Sequence, residues 1–184
     1  MIPQIGVMGS AADLRYGPEL ELAAERTGAE LARLGCAVIF GAEKDYDSLP
    51  TISALAAKKI GGLTIGVTYG KGKEIYNDAA TVVIPTGLER GGGREFTLVL
   101  SCDAIITIGG GSGTLTEIAI AYQAGIPIIA LDRTGGWSDR LSGEYIDERK
   151  RMIVMTAKTP EEAARIAYGI AKKAMRKLER RKNP

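Results

Sequence analysis

The sequence predicts a doubly wound α/β fold: a mostly parallel sheet of about seven strands with helices on both faces. Short apolar runs of strand length alternate with segments whose apolar residues recur at helical spacing. The strand runs are apolar throughout, as in sheets covered on both sides. Glycine clusters follow several strands, where tight strand-to-helix turns belong.

The first strand spans Ile2–Met8 and ends in Gly9-Ser10. Pro18, suited to a first helical turn, opens a helix in which Leu20, Leu22, Ala23, Ala24, Leu31 and Leu34 recur until Gly35. Cys36–Phe40 is the second strand, and Pro50 opens a helix through Ile60 that Gly61-Gly62 closes. Leu63–Thr68 and Thr81–Ile84 read as strands three and four. Gly91-Gly92-Gly93 precedes a helix over Arg94–Ser101. Ala104–Ile108, apolar or β-branched throughout, reads as a central buried strand. A helix over Leu115–Ala124 stops at Gly125, and Ile128–Leu131 is strand six. A glycine-rich loop over Arg133–Gly143, a last strand at Met152–Met155 and a helix over Pro160–Arg180 complete the chain. No linker divides these elements, so residues 1–184 are expected to form one Rossmann-like domain.

Composition excludes several function classes. The net charge of +2 gives no general attraction to nucleic acid. The basic tail from Lys172 to Lys182 reads as a solvated helix end whose cations suit the C-terminal dipole. No run approaches the roughly 18 apolar residues that span a bilayer, and Met1 leads into an apolar strand without a basic leader. A cytoplasmic protein with neither nucleic acid nor membrane as partner is therefore expected. Cys36 and Cys102 lack C-x-x-C spacing and read as reduced, buried thiols. The chain has no histidine, which removes Ser-His-Asp and Cys-His mechanisms and the H-E-x-x-H zinc site. With two isolated cysteines as well, no metal site is expected. Catalysis, if present, falls to carboxylates, arginine, lysine, hydroxyls or backbone dipoles.

In open parallel sheets, ligands sit beyond the carboxyl ends of the strands, where strand order reverses. The strongest signal there is Gly109-Gly110-Gly111-Ser112-Gly113-Thr114, between a buried strand and a helix. Glycines let the backbone approach a ligand, and the helix start offers unpaired N–H donors to an anion. Ser112 and Thr114 add hydroxyls. Gly9 and Ser10 complete the expected ligand-binding set. A G-x-G-x-x-G fingerprint after the first strand is absent. Gly66–Lys71 also misses the phosphate-loop spacing by one residue, with Gly72 where Ser or Thr belongs. Glu117, one turn into the helix, is the candidate catalytic carboxylate. Thr114-x-x-Glu117 reads equally as a capping box. Arg94, at another helix start, reads as a partner for Glu117, as a phosphate clamp or as a surface arginine.

The segment Arg94–Leu131 resembles the LOG superfamily, the cytokinin-activating phosphoribohydrolases long labelled lysine decarboxylases. Gly110–Glu117 matches that family's P-G-G-x-G-T-x-x-E except at the proline, and Arg94 falls where the family's arginine falls. The glycine in place of that proline, and the loop Thr134–Arg140, are similar to the molybdenum-cofactor-carrier-like branch. The resemblance implies that Arg94 and Glu117 act together beside a phosphate loop and that the chain forms a homo-oligomer, dimer or tetramer. It implies two readings. One is hydrolysis of the N-glycosidic bond of a nucleoside 5′-monophosphate, with Glu117 orienting water or stabilising an oxocarbenium-like sugar. The other is a non-catalytic carrier or sensor of a molybdopterin-type ligand; neither requires a resident cofactor. Pyridoxal-dependent decarboxylation is not expected, since the chain has no histidine and, of the candidate ligand loops Gly9–Arg15, Gly41–Ser48, Gly91–Arg94, Gly109–Thr114 and Asp132–Leu141, only the second holds a lysine, Lys44. Two departures point to an altered substrate: Gly41–Asp47 replaces the family's second glycine loop with acidic residues, and of M-x-x-R-K only Arg94 remains.

Overall fold

A computed structural model describes residues 1–89 and 93–182. Of the expected glycine triplet before Arg94, Gly91 and Gly92 lie outside the described residues. The seven strands are β1 (Gln4–Gly9), β2 (Ala37–Gly41), β3 (Thr64–Thr68), β4 (Val82–Pro85), β5 (Ala104–Ile108), β6 (Ile128–Leu131) and β7 (Met155–Ala157). They form one sheet in the order β4-β3-β2-β1-β5-β6-β7, with every pairing parallel. The order turns back at β1, so the crevice between the carboxyl ends of β1 and β5 is the switch point.

Helices α1 (Pro18–Arg33), α2 (Leu49–Lys59) and α6 (Pro160–Lys182) cover one face, and α3 (Gly93–Leu100), α4 (Ser112–Ala124) and α5 (Gly136–Leu141) cover the other. Alternate side chains divide between the two layers. Ile5, Val7, Val38, Phe40, Ile106 and Ile108 face the first, and Met8, Ile39, Val67, Ile105 and Ile128 the second. Pro18 opens α1 and Ser48 caps α2, its Oγ accepting the Thr51 amide at 3.1 Å. Among the described residues, no helix is long and apolar enough to cross a membrane.

Three expectations need correction. The loop Arg133–Gly143 contains α5, whose first turn donates from Trp137 and Ser138 amides to the carbonyls of Gly110 and Gly109 at 3.0 and 2.9 Å. The last strand lies at Met155–Ala157, in register with β6, while Ile153 bridges Tyr145. Helix α4 begins at Ser112 rather than Leu115, inside the glycine loop. Leu98 and Tyr122 are buried in the core. Trp137 packs against the α3–α4–α5 layer under the Arg140 guanidinium, which anchors its loop.

Candidate functional site

A cavity of about 440 Å³ opens at the carboxyl ends of the strands, lined by Gly9 of β1, by Gly41 of β2 and Glu43 beyond it, by Tyr69 just after β3, and by the first turns of α3 and α4. Of the residues singled out in the sequence, Arg94, Glu117, Gly9, Gly111, Ser112, Gly113 and Thr114 line it. Ser10, Gly109 and Gly110 do not.

The division has a plain cause. The Gly109 amide donates to Thr134 Oγ1 and the Gly110 amide to Ser10 Oγ, both at 2.9 Å. These donors are spent inside the protein, and they lock the turn to α5 and to β1. Gly110 adopts φ +99°, and a Cβ there would stand 2.4 Å from Thr114 Cβ, so the turn demands glycine. Beyond it, Gly111 is the N-cap of α4, and the amides of Ser112, Gly113 and Thr114 precede any intrahelical acceptor. Among the described residues none of these three amides has a hydrogen-bond acceptor. They face the cavity with the positive end of a 13-residue helix.

The inner wall is ionic. Arg94 on α3 is buried, with 5% of its surface exposed. Its guanidinium donates to Glu43 Oε1 at 3.1 Å, to the Val67 carbonyl and to the Tyr69 hydroxyl. It also stacks on the Tyr69 ring at 4.0 Å and lies 3.6 Å from Glu95 Oε1. The Tyr69 hydroxyl donates to Glu95 at 2.7 Å. Among the side chains of the described residues, only the Arg94 Nε is buried without a hydrogen-bond acceptor.

Glu117 completes the wall from α4 and is 8% exposed. The capping box does not form. With α4 starting at Ser112, Thr114 is the third helical residue and its hydroxyl donates to the Gly9 carbonyl at 3.3 Å. No hydrogen-bond donor reaches the Glu117 carboxyl among the described residues. Burial pushes its pKa up to about 7; Arg94 draws it down, while Glu95 and Glu43 add to the rise. Glu117 thus lies at the floor of the cavity, one helical turn from the open amides at the start of α4.

Three contributors went unselected in the sequence: Glu43, Tyr69 and Glu95. Tyr69 immediately follows β3 and Glu43 is the second residue after β2, so proximity to strand ends was the signal that marks them. The acidic loop proves to be divided. Glu43 turns inward to Arg94, Lys44 pairs outward with Glu74, and Asp47 accepts the Ser48 amide at the start of α2.

The model of the SLOG cluster4 family matches residues 2–164. An uncharacterized protein of Archaeoglobus fulgidus is 36% identical over 128 residues, covering 70% of this chain and 79% of the relative. The structural-genomics protein TM1055 superposes with a TM-score of 0.80 at 32% identity, over 90% of this chain and 98% of that one. The molybdenum cofactor binding protein of Rippkaea orientalis is similar at a TM-score of 0.77 and 31% identity, over 92% and 98%. The molybdenum cofactor carrier protein of Chlamydomonas reinhardtii has the same TM-score and coverage at 28% identity.

Proposed function

The chain belongs to the SLOG cluster4 family, and from that premise we propose that it binds a phosphate-bearing, nucleotide-like small molecule as a carrier, of the molybdopterin type. One observation carries the reading: the unpaired amides of Ser112, Gly113 and Thr114 open into the same cavity as Arg94 and Glu117. The amides take the phosphate by charge-assisted hydrogen bonds. Glu117 is left to meet a ligand N–H or O–H about one turn, ~5 Å, away along α4. A molybdopterin carries both groups, a terminal phosphate and a donor-rich pterin, and the cavity is within the usual range for such ligands. The similar molybdenum cofactor carrier and binding proteins support the carrier reading.

A second reading, hydrolysis of a nucleoside 5′-monophosphate, is favoured by Glu117 alone. A carboxyl whose pKa is raised to about 7 can exchange a proton near neutrality. One experiment separates the two. The purified protein is analysed by mass spectrometry for released small molecules, then incubated with a panel of nucleoside 5′-monophosphates. A stoichiometric phosphorylated ligand and no free base support the carrier. Release of base with ribose 5-phosphate, abolished by Glu117→Gln, replaces it with the hydrolase.

The chain also works as a homo-oligomer in this reading. Phe96 and Leu100, one turn apart on the outer side of α3, are 52% and 58% exposed while Arg94 and Leu98 face inward. A second copy covering them would seal the outer side of the helix that carries Arg94.

A further inference from the structure

Helix α6 leaves the protein body carrying a patch of unneutralised charge. Lys172, Lys173, Arg176, Lys177, Arg180 and Arg181 fall in two adjacent rows of i, i+4, i+8, with successive cations in each row about 6 Å apart along the axis. They line one shallow groove with Tyr168 and Gly169. Ala167, Ala171 and Met175, on the opposite side of the helix, are buried against the body. Between Lys172 and Arg181 the only carboxylate is Glu179, so this stretch has a net charge of +5 and the rest of the chain −3. The overall balance of +2, which argued against nucleic acid, averages over that asymmetry.

A solvated helix end does not account for the pattern. The helix dipole favours cations in the last turn only, and Lys172 stands more than two turns earlier. Several surface arginines elsewhere are paired, Arg26 with Glu161, Arg165 with Glu30 and Arg149 with Asp147, while those without a carboxylate partner, Arg15, Arg140 and Arg151, stand singly rather than in rows. Among the described residues, none of the six cations has a carboxylate within ion-pair distance. Each row instead sets like charges at i, i+4, which weakens the helix that bears them.

We propose that this face of α6 is a docking surface for the phosphate backbone of duplex nucleic acid, bound without regard to sequence. Two rows of unpaired cations supply the electrostatic footprint of such a surface. Among the described residues, Tyr168 is the only aromatic lining the groove, and one ring is no platform for stacking successive unpaired bases, which selects the duplex over a single strand. A membrane surface fits less well. The apolar side of the helix is already used on the protein body, leaving Leu178 as the one exposed large apolar residue in the stretch. The surface is independent of the cavity and of its ligand.

The test is fluorescence anisotropy of two labelled 20-base-pair duplexes of unrelated sequence, titrated with the full chain across a series of salt concentrations. Equal binding of both duplexes is expected, with affinity falling as about the third to fifth power of salt, from six cations at ~0.9 each when not all engage. The triple variant Lys173→Gln, Arg176→Gln, Arg180→Gln alters exposed side chains only and is expected to bind at least about 10-fold more weakly with a salt exponent lower by about 3. A control removing equal charge elsewhere, Lys59→Gln, Lys71→Gln, Lys73→Gln, is expected to bind as the parent does. No binding at 50 mM salt, equal losses in the two triple variants, or binding to phosphatidylglycerol vesicles without binding to duplex overturns the proposal.

Discussion

Gly41 and Arg94 are complementary: a Cβ on Gly41 would stand 1.9 Å from Arg94 Nη1, so the guanidinium lies where any other residue would put its side chain. The last residue of β2 is thus part of the ionic wall without contributing a functional group. Gly41→Ala is expected to push Arg94 off Glu43 and Tyr69. Overpacking of this kind costs about 1–3 kcal/mol, and binding of a phosphate-bearing ligand should weaken with it. Chemical denaturation and ligand titration on the same variant check both; an alanine variant of parental stability would mean that Arg94 has room to move.

Glu117 links stability to pH. Its folded pKa lies at about 7 against an ordinary 4.5, so the folded protein holds a proton that the unfolded chain has released between those values. Stability from this group therefore falls as pH rises from about 4.5 to 7 and stays low above 7. The shift corresponds to roughly 3 kcal/mol. Glu117→Gln keeps the shape, removes the ionisation and should be more stable than the parent at pH 8 but not at pH 4.5. Urea unfolding at the two pH values measures the difference, and identical pH profiles for parent and variant would count against a raised pKa.

The anion cradle can be tested by deleting one donor. Ser112 is exposed at the first position of α4, and Gly111 before it is not in a helical conformation, so proline fits there. Ser112→Pro removes the amide while keeping the helix. Affinity for a nucleoside 5′-monophosphate should fall about 10-fold, matching one charge-assisted hydrogen bond. Gly113→Ala keeps its amide and adds a methyl that meets no protein atom but faces the cavity, so it should fold as the parent does and bind no more tightly. Calorimetric titration reads both, and unchanged affinity in the proline variant would place the phosphate elsewhere.

The outer side of α3 predicts assembly. Phe96→Asp with Leu100→Asp should lower the mass in solution to that of one chain, because two charges would then face an apolar contact. Light scattering decides it. A parent protein already at single-chain mass would remove the need for a partner there.

Much of the architecture could be read along the chain. Ala104–Ile108 and Ile128–Leu131 were bounded correctly because both faces of these strands are buried, which leaves uninterrupted apolar runs. Pro18 and Gly125 marked helix ends through backbone preferences that need no tertiary partner. Helix α5 escaped because its first amides are satisfied by Gly109 and Gly110, distant in the chain. The sixth-to-seventh strand register escaped because Met152 and Ile153 are as apolar as the residues that pair.

At the site the boundary is equally physical. Residue types and spacing alone pointed to a doubly wound sheet, a glycine turn leading into a helix start and Glu117 one turn beyond it, and the family resemblance set Arg94 beside them. Those are local matters of backbone freedom, periodicity and valence. Only the folded chain decided which glycine amides remain open, since Ser10 and Thr134 reach across from other turns to occupy two of them. Only the fold, too, turned Glu117 from a helix cap into a buried acid, by starting α4 at Ser112 and setting Glu43 and Glu95 around one arginine. Hydrogen bonds and charges are satisfied through space, and their partners come from β2, β3 and α3, far from Glu117 along the chain.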